Sequence, residues 1–410
     1  MQLAVDRTPS RRGRAVPYVV VALIVGSTMT WRTYSYFSGS FDPVVVLKGM
    51  LSAFALALAF IASQRAPRPT PIGPRSIVLL ICYLVTTCLG GWAVGSAISS
   101  IVVAVRVAIL AGALLLLLHA FGAAVVLEAV VKVMAVTAAV AATTGVGTIL
   151  TGRLSGGLPP LTSNELAFLC AVVVLALLWR IVGDRRRRWD WLYILGLMGM
   201  IWLTGSRTGL AALVLAALIM IAQARTLSTP LFLGLVAMLP IMGYVVLATN
   251  TLTSLLERGG SQNIATLSSR TVAWDAALQF NGNGWQNWFG GGLALKQIAV
   301  TGQYWDAQIL DSSWVSALVQ GGLVGLGLAV IWVLVVAVSS LRTPSEWRPL
   351  WTGLLVFLVI RSVLESGLLD ATPAFVMFLM VSVMAEPPTR RSGAAVAAKT
   401  EVGLTRLPRG

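Results

Sequence analysis

Apolar runs of about 20 residues recur along nearly the whole chain, and they limit its possible folds more than any other feature. A helix of that length spans a hydrocarbon core of about 30 Å. Of the 410 residues, 57% are hydrophobic and only 11% are charged, which excludes an ordinary water-soluble protein. Because a helix satisfies its own backbone hydrogen bonds in lipid, the sequence predicts an all-α, polytopic integral membrane protein.

The positions of the basic residues predict how the chain is oriented in the membrane. Most lysines and arginines lie before the first apolar run, in four short links and in the C-terminal tail; the densest cluster is "DRRRR" at 184–188. Cytoplasmic loops carry an excess of Lys and Arg. A topology with twelve helices and two cytoplasmic termini puts all of these clusters on one side. The net charge of +15 is then explained by the membrane, and no nucleic-acid partner is predicted.

The predicted organisation has five parts. They are a basic cytoplasmic tail (1–16), nine transmembrane helices (17–250), a large extracytoplasmic loop (251–309), three more transmembrane helices (310–386) and a disordered cytoplasmic tail (387–410). The predicted helices are 17–36, 44–62, 76–94, 98–118, 124–150, 165–182, 190–205, 208–224, 230–250, 310–340, 350–368 and 372–386. The three cysteines fall within spans without metal-ligand spacing, so they are predicted to pack in the bundle, and no metal site is predicted.

Arg207 lies in the turn "TGSRTG", which this topology places on the extracytoplasmic side. One interpretation is an interfacial arginine that extends toward lipid headgroups. The alternative is an anion site, because Ser206 and its small neighbours leave backbone N–H groups accessible at a helix N-terminus. The preceding extracytoplasmic link, "TGRLSGGLPPLTSNELAFL", adds Arg153 and Asn164 as candidate substrate-binding residues.

The large loop contains "SSRTVAWDAALQF", whose apolar spacing predicts a short amphipathic helix that starts after Ser268 or Ser269. Arg270 falls in the first turn of this helix. Trp274 is one of several aromatic residues in the loop, and aromatic faces pack against sugars or lipid tails. A hydrophobic lid over the bundle is the alternative.

Three charged residues near the last helices are also candidates. Asp311 opens the helix after the large loop, as a catalytic carboxylate or simply as a helix cap. Arg361 and Glu365 are four residues apart, a spacing that favours an ion pair on one helix face. A role in lining the site is the alternative for both.

Four segments in this order, "SGGLPPLTSNELA", "LTGSRTGLAAL", "LSSRTVAWDAAL" and "LDSSWVSALVQGGLVGLGL", resemble the O-antigen ligase and polymerase family. The resemblance covers roughly residues 140 to 340. It implies a GT-C-like, metal-independent glycosyltransferase in the bacterial cytoplasmic membrane that requires no cofactor. Such an enzyme takes a glycan from a polyprenyl-pyrophosphate donor on the extracytoplasmic face and passes it to a glycan, lipid or protein acceptor, with membrane lipids around it.

By the same resemblance, Arg207 and Arg270 hold the pyrophosphate of the donor. Family ligases carry a His-Asn pair where this chain has Asp311 and Ser312, which weakens the identification as a ligase but leaves a transferase possible, since a carboxylate also accepts a proton. A transporter or flippase for an anionic envelope precursor is the alternative function, because its intramembrane charges would bind a passing headgroup.

Overall fold

The computed structural model describes residues 15–31, 42–66, 70–185, 187–223, 270–278, 284–299 and 307–387. The helices in these ranges are α1 (Ala15–Thr28), α2 (Pro43–Gln64), α3 (Arg75–Ala93), α4 (Ala97–Thr144), α5 (Ser163–Val182), α6 (Asp190–Thr204), α7 (Arg207–Ala222), α8 (Arg270–Leu278), α9 (Gly284–Phe289), α10 (Ser313–Leu341), α11 (Arg348–Leu364) and α12 (Pro373–Ala385). The chain is mostly helical, as its composition predicts. The predicted helix at 230–250 lies outside the described residues.

Within the described ranges, five helices are long and apolar enough to cross a membrane, namely α2, α3, α4, α5 and α10. Shorter apolar helices accompany them, including α1, α6, α7 and α12. Each bundle helix begins within a few residues of its predicted start. The molecule is therefore a helical membrane protein.

Burial separates central helices from peripheral ones. Nearly every side chain of α5 and of α12 is buried, so both helices are surrounded by others. Helix α2 instead exposes large apolar side chains such as Met50 and Phe54, and only Ser52, Ala55 and Ala59 are buried. An exposed apolar stripe of this kind is the surface that lipid covers.

Helix α4 is broken at Gly122, whose φ of 77° and ψ of 170° are not helical. The break lies between the predicted spans 98–118 and 124–150, so the two predicted segments are confirmed as separate helical stretches. The second stretch ends at Thr144, earlier than predicted, and a 3₁₀ helix (Val146–Thr151) follows it. At the break, the ring and the backbone carbonyl of His119 are hydrogen-bonded to the backbone of Thr70.

Helix α10 is also broken, at Gly322, with φ 63° and ψ −161°. The break divides the 29 residues of the helix into a short first segment and a longer second one. Next to the break, the backbone N–H groups of Gly291 and Gly292 donate to the carbonyls of Val319 and Gln320 at 2.9 Å. The glycine run after α9 therefore pairs carbonyls that the break removes from the helical ladder.

The described part of the large loop is more structured than predicted. The amphipathic helix is confirmed as α8, which buries Ala273 and Ala277 against Ile298, Leu310 and Val319. A two-stranded antiparallel hairpin was not predicted: β1 (Gln297–Ala299) pairs with β2 (Ala307–Ile309), with Ile298 opposite Gln308.

Candidate functional site

Charged side chains at the arginine-rich end of the bundle are paired with one another. Asp190 forms an ion pair with Arg180 at 3.0 Å, and Arg185 pairs with Glu346. The carbonyl of Glu346 also accepts from the indole N–H of Trp179 at 2.8 Å. These contacts join the links between helices, so this end has a structural network.

The opposite end contains a polar cavity of about 550 Å³. It lies among the end of α1, the starts of α2, α5 and α10, the hairpin and the link between α11 and α12. Its charged lining residues are Asp42, Lys48, Arg106, Glu165, Lys296, Asp311, Arg361, Glu365 and Asp370. Such a concentration of charge beside membrane helices marks a candidate binding site.

A capping box fixes the start of α5 at the cavity wall. The hydroxyl of Thr162 accepts from the backbone N–H of Glu165 at 3.2 Å, and the Glu165 carboxylate accepts from the backbone N–H of Thr162 at 3.0 Å. Thr30, just after α1, donates to the other carboxylate oxygen at 2.6 Å. Glu165 is therefore occupied in joining α1 to α5.

Asn164, one position before Glu165, lines the cavity as a candidate binding residue should. Its side-chain amide donates to Glu365 Oε1 at 2.5 Å. Helix α11 ends at Leu364, so Glu365 lies beyond the helix, and the expected helical ion pair with Arg361 is replaced by this contact. Both Glu365 and Asn164 remain candidate substrate-binding residues.

Arg361 is 93% buried and lines the cavity. Its guanidinium lies over the ring of Phe168, 4.8 Å from the centroid. No hydrogen bond or ion pair reaches Arg361 from the described part of the chain. A buried guanidinium without such partners is costly, which makes it a strong candidate for binding an anion.

Two further cations line the same cavity on α2 and α4. Arg106 donates to the carbonyl of Ser27 at 2.6 Å, in the last turn of α1, while its Nε is buried with no partner among the described residues. Lys48 lies in the second turn of α2, whose N-cap is Asp42; the Asp42 carboxylate accepts from the backbone N–H of Val44 at 2.9 Å.

A salt bridge closes one side of the cavity. Lys296, just before β1, donates to Asp370 in the α11–α12 link at 2.5 Å. Burial alone raises the pKa of Asp370, but the charge and hydrogen bond of Lys296 and the backbone N–H of Ala371 outweigh it and lower the pKa overall. The carboxylate therefore stays ionised and holds the hairpin to the link.

Asp311 lines the cavity between β2 and α10 and is partly buried. The N-cap of α10 is Ser312, and the helix begins at Ser313, so Asp311 lies one position before the cap. Ser313 anchors this turn because its hydroxyl donates to the carbonyl of Glu365 at 2.8 Å. Asp311 is therefore not the N-cap of α10, and the interpretation of this residue as a simple helix cap is wrong.

Arg207, one of the two predicted pyrophosphate contacts, is not among the described residues that line this cavity. Ser206 is the N-cap of α7 and accepts from the backbone N–H of Gly209 at 3.4 Å, and Arg207 is the exposed first residue of that helix. The turn packs beside Arg153, since the backbone N–H of Leu154 donates to the carbonyl of Leu203 at 3.0 Å.

The turn before α7 is nevertheless at the cavity end of the bundle. A Cβ built on Gly209 would lie 3.5 Å from Cβ of Ala167, in the first turn and a half of α5. Arg270 is the first residue of α8, but its side chain lies outside the described atoms, so convergence with Arg207 stays a prediction. Trp274 packs in α8 and is not part of the cavity lining.

Sequence reasoning missed Lys48, Lys296 and Asp370 as site residues. The signal for Lys48 is present, because a lone lysine within "VVVLKGMLS" is costly in a membrane helix and so indicates a functional position. The Lys296–Asp370 pair has no comparable signal, since 74 positions separate the two residues.

Comparison with protein-family models finds no match, and no curated protein matches the chain. The function is therefore inferred from the cavity and the residues that line it.

Proposed function

We propose that this protein is a membrane glycosyltransferase that moves a glycan from a polyprenyl-pyrophosphate donor to an acceptor hydroxyl on the extracytoplasmic face of the bacterial cytoplasmic membrane. The observation that carries the proposal is the cavity at the end opposite the arginine-rich link, where Asp311 lies among buried and partly buried cations, other carboxylates and polar side chains. The proposed topology has twelve spans. The positive-inside rule then puts the arginine-rich end in the cytoplasm and the cavity outside.

In the proposed reaction, the Asp311 carboxylate accepts the proton of the acceptor hydroxyl. The acceptor oxygen forms a bond with the anomeric carbon of the donor as the bond from that carbon to the pyrophosphate oxygen breaks. The electron pair leaves with the polyprenyl pyrophosphate. Arg207 and Arg270 are proposed to stabilise the charge on this leaving group through guanidinium–phosphate hydrogen bonds.

The other candidate residues would orient the two substrates. Asn164 and Glu365 lie together on the cavity wall and offer an amide and a carboxylate for sugar hydroxyls. Arg153 and Ser206 belong to the turn region beside Arg207, where the donor headgroup would enter. Trp274 would offer an aromatic face in the loop that covers this end.

A transporter or flippase for an anionic envelope precursor is the second candidate. Lys48, Arg106 and Arg361 favour it because they lie in membrane helices beside a cavity, where a transporter binds its cargo. The two candidates differ in their product, since only a transferase forms a glycosidic bond.

The deciding experiment uses the purified full-length protein, a polyprenyl-pyrophosphate glycan and a panel of glycan, lipid and hydroxyl-bearing peptide acceptors. The proposal expects a new glycosidic bond and stoichiometric release of polyprenyl pyrophosphate, both followed by mass spectrometry. Movement of the intact donor across proteoliposomes without a new bond with any acceptor would instead support the transporter.

A further inference from the structure

Three cationic residues that line the cavity have no role in the proposed mechanism. Lys48 on α2, Arg106 on α4 and Arg361 on α11 come from helices that are far apart in sequence, and all three line one cavity. Membrane helices bring such charges together rarely, because each costs free energy to place away from water. Their convergence therefore calls for a function.

Hydrogen bonding at these cations is incomplete. Arg361, 93% buried, lies over the face of Phe168 and makes no hydrogen bond or ion pair within the described ranges, where Arg106 Nε is also buried without a partner. The backbone carbonyl of Lys48 accepts from Ser52 at 2.8 Å, but its ammonium group makes no hydrogen bond or ion pair with any described residue. All three side chains line the cavity, and the ammonium of Lys48 and the guanidinium of Arg361 keep N–H donors without described partners.

The carboxylates of the cavity are already engaged. Glu165 accepts from Thr30 and Thr162, Asp370 from Lys296, Glu365 from Asn164, and Asp42 from the N-terminus of α2. Asp311 also has a partner. Four of these carboxylates still act on the three cations through their charge, but none is hydrogen-bonded to them among the described residues, so the cations keep N–H donors for an incoming anion.

We propose that Lys48, Arg106 and Arg361 form a subsite for a phosphate-type oxyanion. Planar guanidinium groups bind two phosphate oxygens at once, and an ammonium group adds a third, more adaptable contact. The oxyanion belongs either to the donor pyrophosphate or to a phosphate on the acceptor. The subsite rests on the proposed function, because it would bind a phosphate group of one of the proposed substrates. A binding measurement nevertheless tests the subsite without any measurement of glycan transfer.

The test is calorimetric titration of the purified protein with inorganic pyrophosphate, in the wild type and in Arg361→Met and Lys48→Met variants. Each substitution keeps a long apolar chain and removes the donors. We expect Kd to rise about tenfold or more for each, as for the loss of a charged hydrogen bond. Lys132→Met is the matched control, because Lys132 is half exposed and paired with Glu128 at 2.8 Å, outside the cavity lining.

Two further measurements keep the result interpretable. The titrations are repeated in an Arg207→Gln background, so that the proposed donor contact at α7 does not mask the subsite. Thermal unfolding without anion distinguishes a structural role: Arg361→Met should be at least as stable as the wild type, because it removes a buried charge that has no hydrogen-bonded partner among the described residues. A clear loss of stability in Arg361→Met, or an unchanged Kd in both variants, would overturn the subsite.

Competition identifies the source of the oxyanion. Displacement of pyrophosphate by a short-chain polyprenyl pyrophosphate assigns it to the donor, and displacement by a sugar phosphate assigns it to the acceptor; displacement by neither contradicts the proposal. If the wild type transfers glycan but the substitutions leave the Kd for pyrophosphate unchanged, only the subsite is contradicted. If the substitutions raise this Kd but the wild type transfers no glycan, only the proposed transferase is contradicted.

Discussion

Charged residues at the cavity have two different roles. Glu165, Lys296 and Asp370 hold loops and helix ends in place through hydrogen bonds to other side chains and backbone groups. Arg361 makes no such contact within the described ranges and faces the cavity. Substitutions of Glu165, Lys296 or Asp370 should therefore lower stability, whereas substitution of Arg361 should weaken ligand binding.

The Lys296–Asp370 pair gives a prediction for the pH dependence of stability. Because the pKa of Asp370 is lowered on folding, the pair stabilises the protein fully above the ordinary carboxyl pKa of 3.8, and this contribution is lost as pH falls below it. Asp370→Asn should lower Tm at pH 7 and give a shrinking difference from the wild type below about pH 4. Thermal unfolding from pH 3 to 7 measures this, and a difference that grows on acidification would contradict it.

Arg207 gives a prediction for catalysis. Arg207→Lys keeps the charge but loses the planar fork, so transfer should fall by about a hundredfold, as when an oxyanion contact is removed. Arg348→Lys is the control, since Arg348 contacts the carbonyl of Thr343 at the other end of the bundle. The rates of both variants are compared at matched protein amounts. Wild-type turnover in Arg207→Lys would remove this residue from the pyrophosphate clamp.

At this scale, sequence predicted some of the cavity and missed some of it. Asn164, Asp311, Arg361 and Glu365 were found because polar residues next to apolar runs are conspicuous, and all four line the cavity. Which partner each residue takes depends on helix packing, so the bond from Asn164 to Glu365 was not predictable from spacing within one helix.

Among the helices, α10 shows how an element positions the site. The break at Gly322 follows a short first segment, and Ser313 in this segment and the preceding Asp311 both line the cavity. Just before this break, the carbonyls of Val319 and Gln320 accept from the backbone N–H groups of Gly291 and Gly292 in the large loop. The large loop is thus hydrogen-bonded to the cavity wall next to Gly322.

Gly322→Ala should therefore be strongly destabilising. A Cβ at this position would lie 2.4 Å from the backbone of Trp288, and the φ of 63° is unfavourable for any residue with a side chain. Backbone strain of this kind costs about 1–3 kcal/mol before the clash is included. Gly327→Ala, in the same helix, is the control, because a Cβ there meets nothing within 4 Å.

Thermal unfolding of both variants in detergent measures the difference. A Gly322→Ala protein as stable as Gly327→Ala would mean that α10 is a continuous helix. Hydropathy predicted the length of α10 well but could not show the break, because two adjacent glycines do not reveal which of them adopts a positive φ. Gly321 and Gly325, four residues apart in α10, both lie against Tyr83 of α3.

For the whole molecule, the sequence predicts more than it does for single residues. Apolar length alone located the described bundle helices, because lipid requires about 20 apolar residues per span whatever the tertiary contacts. The cavity brings together distant links of the chain, and its formation depends on three-dimensional packing that no local pattern encodes.

The proposed orientation is testable in intact cells with single engineered cysteines. The background chain has Cys82, Cys88 and Cys170 replaced by alanine. Leu278→Cys, at an exposed position of α8, should react with an impermeant maleimide in intact cells, whereas Arg187→Cys in the arginine-rich link should react only after permeabilisation. The reverse pattern would invert the topology and put the cavity in the cytoplasm.

The central claim is that the cavity carries out glycan transfer with Asp311 as the proton acceptor, and one paired measurement on Asp311→Asn tests it most directly. Donor affinity and single-turnover transfer are measured on the same purified sample. Asparagine keeps the shape of aspartate but loses the charge, so donor Kd should stay unchanged while transfer falls by about a hundredfold or more. A transfer rate equal to that of the wild type, with unchanged donor Kd, would contradict the claim.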